Sequence, residues 1–280
     1  MPPDYELESF WDSRFKTETH FEWLGDGQET VIPALRPFLQ TRLSTGLPRL
    51  LHIGAGSSSL SDHLRDLYYG ISGAEVAGGV ILNTDFAQHA VDRGREAEKK
   101  TGNDAVRWER VDLLRWQDVV TLKDRITAGN ADQDGPFDIV VDKSTSDAIS
   151  CGEDILYKRE LTSVPTSVHP LIATHLQVHG DGAISLEPLE VLALHLATLV
   201  RPGGVWIALS YSGSRFPFLQ FSGERTMGTK LDTRIYWEKE KEVVVNAPHG
   251  WGKEGEGKVN VHAPDIQHHL YIFRRTDVPF

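Results

Sequence analysis

Leu50-Leu51-His52-Ile53-Gly54-Ala55-Gly56-Ser57-Ser58-Ser59-Leu60 runs from an apolar stretch through a glycine turn into a helical pattern. Leu60, Leu64 and Leu67 then share one helical face. Glycine lets a backbone approach a ligand that a Cβ would block. The helix start beyond it offers free N–H groups to polar atoms. Dinucleotide-binding turns use three glycines in this place, and here Ser59 occupies the third position. The dinucleotide fingerprint therefore fails. By itself the turn is equally well explained as a plain strand-to-helix connection.

The pattern repeats outward from this turn. Gly79 to Asn83 reads as a second strand ending at Thr84-Asp85-Phe86, and a helix follows over about 88–100. Val106 to Val111 alternates as a third strand, and Phe137 to Asp142 is a fourth. Glu187 to Leu199 is a leucine-rich helix, Pro202-Gly203-Gly204 a turn, and Val205 to Leu209 a fifth strand. This order predicts an α/β fold, a Rossmann-like, mainly parallel sheet with flanking helices. Arg234 to Val245 and His268 to Arg274 are strand-like without an intervening helical period, which predicts a C-terminal antiparallel pair. The loop between them spans Asn246 to Asp265. The reading is one domain over 1–280, with a helical cap over 1–45 and a core over 46–280. Insertions are expected near 127–136 and 151–182.

The chain has 280 residues, 40% hydrophobic and 25% charged, an ordinary globular composition. Its net charge of −11 disfavours nonspecific binding to nucleic acid, because an acidic surface repels phosphate, and it tolerates a basic protein partner. A single cysteine, Cys151, excludes an intrachain disulfide and fits a reducing compartment. Met1 to Phe10 lacks the basic-then-apolar order of a leader, and no apolar run reaches membrane-span length. A cytoplasmic location without membrane contact is the expectation.

Several carboxylates fall at strand ends, where ligands of open α/β sheets bind. Asp85 lies 31 residues after Gly54, at the end of the second strand. A carboxylate there can accept both hydroxyls of a ribose diol, in a dinucleotide or in S-adenosylmethionine (SAM). Asp112, after the third strand, can meet an adenine amino group or simply shape a turn. Asp142 and Lys143 end the fourth strand, before Ser144-Thr145-Ser146-Asp147. Asp85, Asp112, Asp142 and Lys143 thus converge on one sheet edge, which predicts a nucleoside-type cofactor. His169, His175 and His179 do not share a helical face, so no metal is expected. No G-x-S-x-G elbow supports a hydrolase reading of the serines.

These residues, in this order, resemble class I SAM-dependent methyltransferases. More narrowly the chain is similar to the group of methyltransferase-like protein 13 and elongation-factor-1-alpha lysine methyltransferase 4. The matches are Phe10-Trp11-Asp12-Ser13-Arg14-Phe15, Phe21 to Gly25, Leu51 to Ser61, Asp85-Phe86-Ala87, Trp108 to Asp112, Asp138 to Ile149 and His268 to Tyr271. Ala55, Ser57, Ser144 and Ser146 depart from the group's pattern, and His52 stands where the superfamily often has an acidic residue.

The resemblance implies SAM as cofactor and S-adenosylhomocysteine (SAH) as product. It implies that Trp11, Phe15 and Trp23 line the cofactor pocket and that Gly54 and Gly56 pass near the methionine moiety. Asp85 would hold the ribose, with Phe86 against the adenine and Asp112 and Leu113 at its edge. Lys143 would approach the methionine end. It also implies lysine methylation of a protein substrate, such as a basic protein like a translation elongation factor. A small-molecule substrate and a SAM-binding module without turnover are the alternatives. Transfer to an amine needs a neutral nucleophile, for which Asp142 and Asp147 are candidate catalytic acceptors and Tyr211 a candidate wall residue.

Overall fold

In the computed structural model the described residues are 3–42, 46–73, 79–102, 105–128, 135–159, 167–178, 182–219, 231–246 and 267–279. Two helices come first, α1 (Glu8–Thr17) and α2 (Val31–Arg42). The repeating unit follows: β1 (Leu50–Ile53), α3 (Leu60–Ser72), β2 (Ile81–Asp85), α4 (Gln88–Thr101), β3 (Val106–Arg110), α5 (Trp116–Thr127) and β4 (Phe137–Lys143). After α6 (Thr145–Ile149) come β5 (Ile155–Lys158), α7 (Pro170–Val178) and β6 (Ala183–Leu186). The chain then runs through α8 (Pro188–Leu199), β7 (Val200–Ser210), β8 (Trp237–Asn246) and β9 (Gln267–Arg275).

Seven strands form one sheet in the order β3-β2-β1-β4-β7-β9-β8. The first five are parallel, while β9 runs antiparallel to β7 and β8 antiparallel to β9. This is the α/β architecture predicted from the alternating runs, closed by the predicted C-terminal antiparallel pair. The central strands are buried along their whole length, and β1 and β4 are correspondingly apolar in their middles, with Leu50-Leu51 and Ile139-Val140-Val141. Edge strand β3 is buried only at alternate positions.

The pleat divides the core in two. Leu51, Ile53, Val140 and Trp206 face one layer, which α5 and α8 cover. Leu50, Ile139, Val141 and Ile207 face the other, which α2 and α3 cover. Every strand-to-helix crossover therefore delivers its following loop to one end of the sheet. Strand order reverses between β1 and β4, so the loops after them diverge and leave a crevice.

Two features escaped the sequence reading. Helix α5 was not anticipated, and the segment 151–182 holds β5 and α7, with β5 paired antiparallel to β6 just beyond it as a separate two-stranded sheet. Residues 129–134, 160–166, 179–181 and 247–266 lie outside the described residues, and with them most of the expected insertion at 127–136, His179 and the loop from Asn246. No helix among the described residues is long and apolar enough to cross a membrane.

Gly94 on α4 shows how tightly the layers meet. A Cβ there would fall 2.2 Å from two ring carbons of Trp108 on β3. Gly94→Ala should lower stability by about 1–2 kcal/mol, since overpacking outweighs the better helix propensity of alanine. A urea midpoint at or above that of the parent protein would show that the indole yields freely.

Candidate functional site

A cavity of about 830 Å³ opens at the ends of the parallel strands. Its lining includes all ten residues expected to touch the cofactor: Trp11, Phe15, Trp23, Gly54, Gly56, Asp85, Phe86, Asp112, Leu113 and Lys143. Asp147 and Tyr211 line it as well. Asp142 does not.

The glycine turn is shaped by neighbours. Gly54 and Gly56 have φ of +56° and +54°, the left-handed region that favours glycine. A Cβ on Gly54 would lie 2.1 Å from Thr145 Oγ1, whose hydroxyl donates to the Ile53 carbonyl at 2.9 Å. A Cβ on Gly56 would press on the Phe15 ring at 3.2 Å. The turn thus lies between α6 on one side and the α1 aromatics on the other.

Asp85 is buried, and its carboxylate accepts backbone N–H groups from Gly56 at 2.9 Å and Ala87 at 2.8 Å. Burial raises its pKa to about 6 despite these donors. A carboxylate offers about four lone-pair sites, and with the Phe86 N–H as a third backbone donor about one remains. Burial also raises Asp112, whose Oδ1 accepts from the Leu114 N–H. The backbone of Leu113 is held from below: His195 Nδ1 donates to its carbonyl at 2.7 Å. Burial lowers His195 to about 4, so the ring is neutral and Nδ1 carries its proton. His52 at the cavity floor is neutral for the same reason, lowered to about 3, and pairs with Asn83 at 3.1 Å.

Lys143 departs from expectation. It lines the cavity, but Nζ donates to Glu22 Oε2 at 3.0 Å and to the carbonyls of Trp23 and Gly25 at 2.9 and 2.8 Å. All three ammonium protons are spent on the segment 22–25. Burial pulls Lys143 below its ordinary value. Burial also works to raise Glu22, but Lys143 and the donors Ser59 N–H and Ser58 Oγ hold it below the usual carboxylate range. Glu22, which the sequence reading did not single out, anchors Lys143 and the start of α3 without lining the cavity. Its signal is a carboxylate flanked by Phe21 and Trp23.

The two candidate acceptors also require correction. Asp142 is fully buried, and its carboxylate accepts the N–H groups of Thr145 and Ser146 and the Ser146 hydroxyl. It caps α6 and does not reach the cavity. Asp147 reaches the cavity, but Ser144 Oγ at 2.9 Å, Ser210 Oγ, Tyr211 N–H at 3.2 Å and Arg215 Nε at 2.8 Å already occupy its oxygens. It organises the loops after β4 and β7 and has little capacity left to take a proton. Ser144, where the resembled group has glycine, adopts φ +66° and uses its hydroxyl to anchor Asp147.

The α1 aromatics form one wall. Trp11 stacks on Phe15 with ring centroids 5.8 Å apart and donates Nε1 to the Tyr5 carbonyl at 2.6 Å. Tyr5 meets Trp23 edge-on at 5.1 Å. These rings thus both pack on one another and face the cavity.

Two observations test whether SAM fits. Ser57 Oγ is buried at the cavity lining with no hydrogen-bond partner among the described residues. Asp85 retains acceptor capacity suited to a hydroxyl of a diol. Both fit a ligand with a ribose and further polar groups on a flat base. Asp85 would hold the ribose, Phe86, Asp112 and Leu113 the base, and the glycine turn the amino-acid end.

Removing the Lys143 ammonium should leave Glu22 buried and unpaired. Lys143→Met is expected to cost about 3 kcal/mol in denaturant unfolding. Adding Glu22→Gln should recover part of that loss. Equal stability of the single and double variants would mean that the pair is not coupled.

No family model matches the chain. It is 28% identical to methyltransferase srdJ of Neurospora crassa over 276 residues, covering 97% of this chain and 84% of that protein. Among solved structures it is similar to a SAM-dependent methyltransferase from Anabaena variabilis, with a TM-score of 0.51 and 11% identity, covering 98% of this chain and 96% of the other. The N-methyltransferase NodS of Bradyrhizobium japonicum, in complex with SAH, gives a TM-score of 0.43 at 13% identity and covers 98% and 99% of the two chains. In fold the chain is similar to the SAM-dependent methyltransferase from Anabaena variabilis, and in sequence to methyltransferase srdJ.

Proposed function

We propose that the protein is a SAM-dependent methyltransferase whose acceptor is a small molecule bound in the same cavity as the cofactor. The observation that carries this reading is the continuity of one cavity over both halves of the site. The cavity runs without a break from the glycine turn to the ends of β4 and β7. There it is lined by Ile149 at the end of α6, by Cys151, Gly152 and Ile155 from the chain after it, and by the N-terminal stretch Pro3–Glu8. A compact acceptor would be surrounded on several sides, and water would be displaced around the reacting atoms.

SAM supplies a methyl group already activated by its sulfonium charge. The chain's residues have only to hold donor and acceptor in line. The glycine turn and Asp85 would hold the cofactor end. Ile149, Ile155, Pro188 and Tyr211 would hold the acceptor end. No side chain need take a proton in concert with transfer, which agrees with the full occupation of Asp142 and Asp147.

A protein lysine, implied by the resemblance to the lysine methyltransferase group, is the second reading. Four carboxylates at the N-terminal and β5 side of the lining, Asp4, Glu6, Glu8 and Glu153, favour it. Incubating the protein with methyl-labelled SAM and a lysate separates the two. Label in the small-molecule fraction is the expected result, and label in a discrete protein band would overturn it in favour of lysine.

Asp85 gives an independent prediction. A diol donates to the ionised carboxylate, which is lost below a pKa of about 6. SAH affinity should fall about tenfold from pH 7 to pH 5, and Asp85→Asn should bind weakly with no such slope. The ligand-free protein should behave oppositely. Its folded state holds the Asp85 proton more tightly than the unfolded chain, so it loses stability as pH rises from about 4 to about 6. Calorimetric titration with SAH across this range checks the first statement, and urea unfolding checks the second.

A further inference from the structure

The acceptor half of the cavity carries a charge pattern that narrows the substrate class. Its walls are largely apolar, with Ile149, Ile155, Pro188 and the ring of Tyr211. The cations around the cavity are already committed. Lys143 spends its three protons on Glu22 and two carbonyls. Arg215 is bound to Asp147 and Ser150, and its guanidinium lies 5.0 Å from the Tyr211 ring centre. Arg110 binds Glu8 at 2.6 Å and the Phe86 carbonyl. Among the described residues, no guanidinium or ammonium on this lining is left over for an anionic substrate.

Three lining carboxylates, Asp4, Glu6 and Glu153, are left without a side-chain partner among the described residues. Glu6 and Glu153 flank the same spot: a Cβ on Gly152 would come within 3.5 Å of Glu6 Cβ, and Glu153 is the next residue. Burial raises the neighbouring Cys151 thiol, and the Glu6 charge adds to that shift, which places the carboxylate close by. An anionic acceptor would meet repulsion here with no compensating donor. An ammonium group on an apolar body would gain the carboxylates, with apolar contact to the walls.

We infer that the acceptor is an organic amine with an apolar body, that Glu6 and Glu153 select it by charge, and that the site rejects carboxylates and phosphates. This rests on the methyltransferase reading and would hold for a small amine or a lysine side chain. The residues act on binding of the acceptor, so the test reads binding.

The SAH-saturated protein would be screened by ligand-observed NMR against fragments in matched sets. Each set would place an amine, a neutral amide or alcohol, and a carboxylate on the same aryl or alkyl frame. Hits should concentrate among the amines. In Glu6→Gln/Glu153→Gln the amine affinities should fall at least tenfold, while SAH affinity stays as in the parent. Hits spread evenly over the three classes, hits concentrated among carboxylates, no hits at all, or amine affinities unchanged in the double variant would each overturn the inference. Failure of SAH itself to bind would instead overturn the methyltransferase reading.

Discussion

The contact between Lys143 and Glu22 holds the site together. Lys143 is the last residue of a strand that is buried along its whole length. An ammonium delivered there must be neutralised and fully hydrogen-bonded, because an unpaired buried charge is costly. The segment 22–25 meets that demand with one carboxylate and two carbonyls. Glu22 then extends the tie to Ser58 and Ser59 at the start of α3. The sheet, the glycine turn and the N-terminal aromatics are thereby fixed to one another. The cavity wall formed by Trp11, Phe15 and Trp23 is a consequence of that bond.

The strand-end carboxylates show how burial and local donors assign different tasks to one residue type. Asp85 meets three backbone donors and keeps room for about one more, so it faces the cavity as an acceptor. Asp142 meets two backbone donors and a hydroxyl at the start of α6 and is closed off. Asp147 meets four donors, including Arg215, and becomes the joint between the loops after β4 and β7. The lining carboxylates without a partner among the described residues, Asp4, Glu6 and Glu153, come from the N-terminal stretch and the chain before β5, outside the strand-end pattern.

Much of the cofactor half was legible because it is built from short-range patterns. The run Leu50 to Leu60 carries strand, turn and helix start within a few residues, and Asp85 sits at a strand end that hydrophobicity marks. The acceptor half was not legible in the same way. β5 and β6 pair across 24 intervening residues, and the inserted α7 hides their alternation. Helix α5 has few apolar positions before an acidic and basic second half, so its pattern is weak. Lys143 read as a cofactor contact because its partners lie about 120 residues earlier in the chain.

The amino-acid sequence by itself determined the alternation of strands and helices, the antiparallel ending and the place of the ligand crevice. Each follows from local periodicity and from glycine at positions of positive φ. Tertiary structure alone decided which charged groups remain available. That depends on partners brought together from distant segments, and on desolvation that only packing creates. It spends Lys143, Asp142 and Asp147 on structure and leaves Asp85, Glu6 and Glu153 facing the cavity.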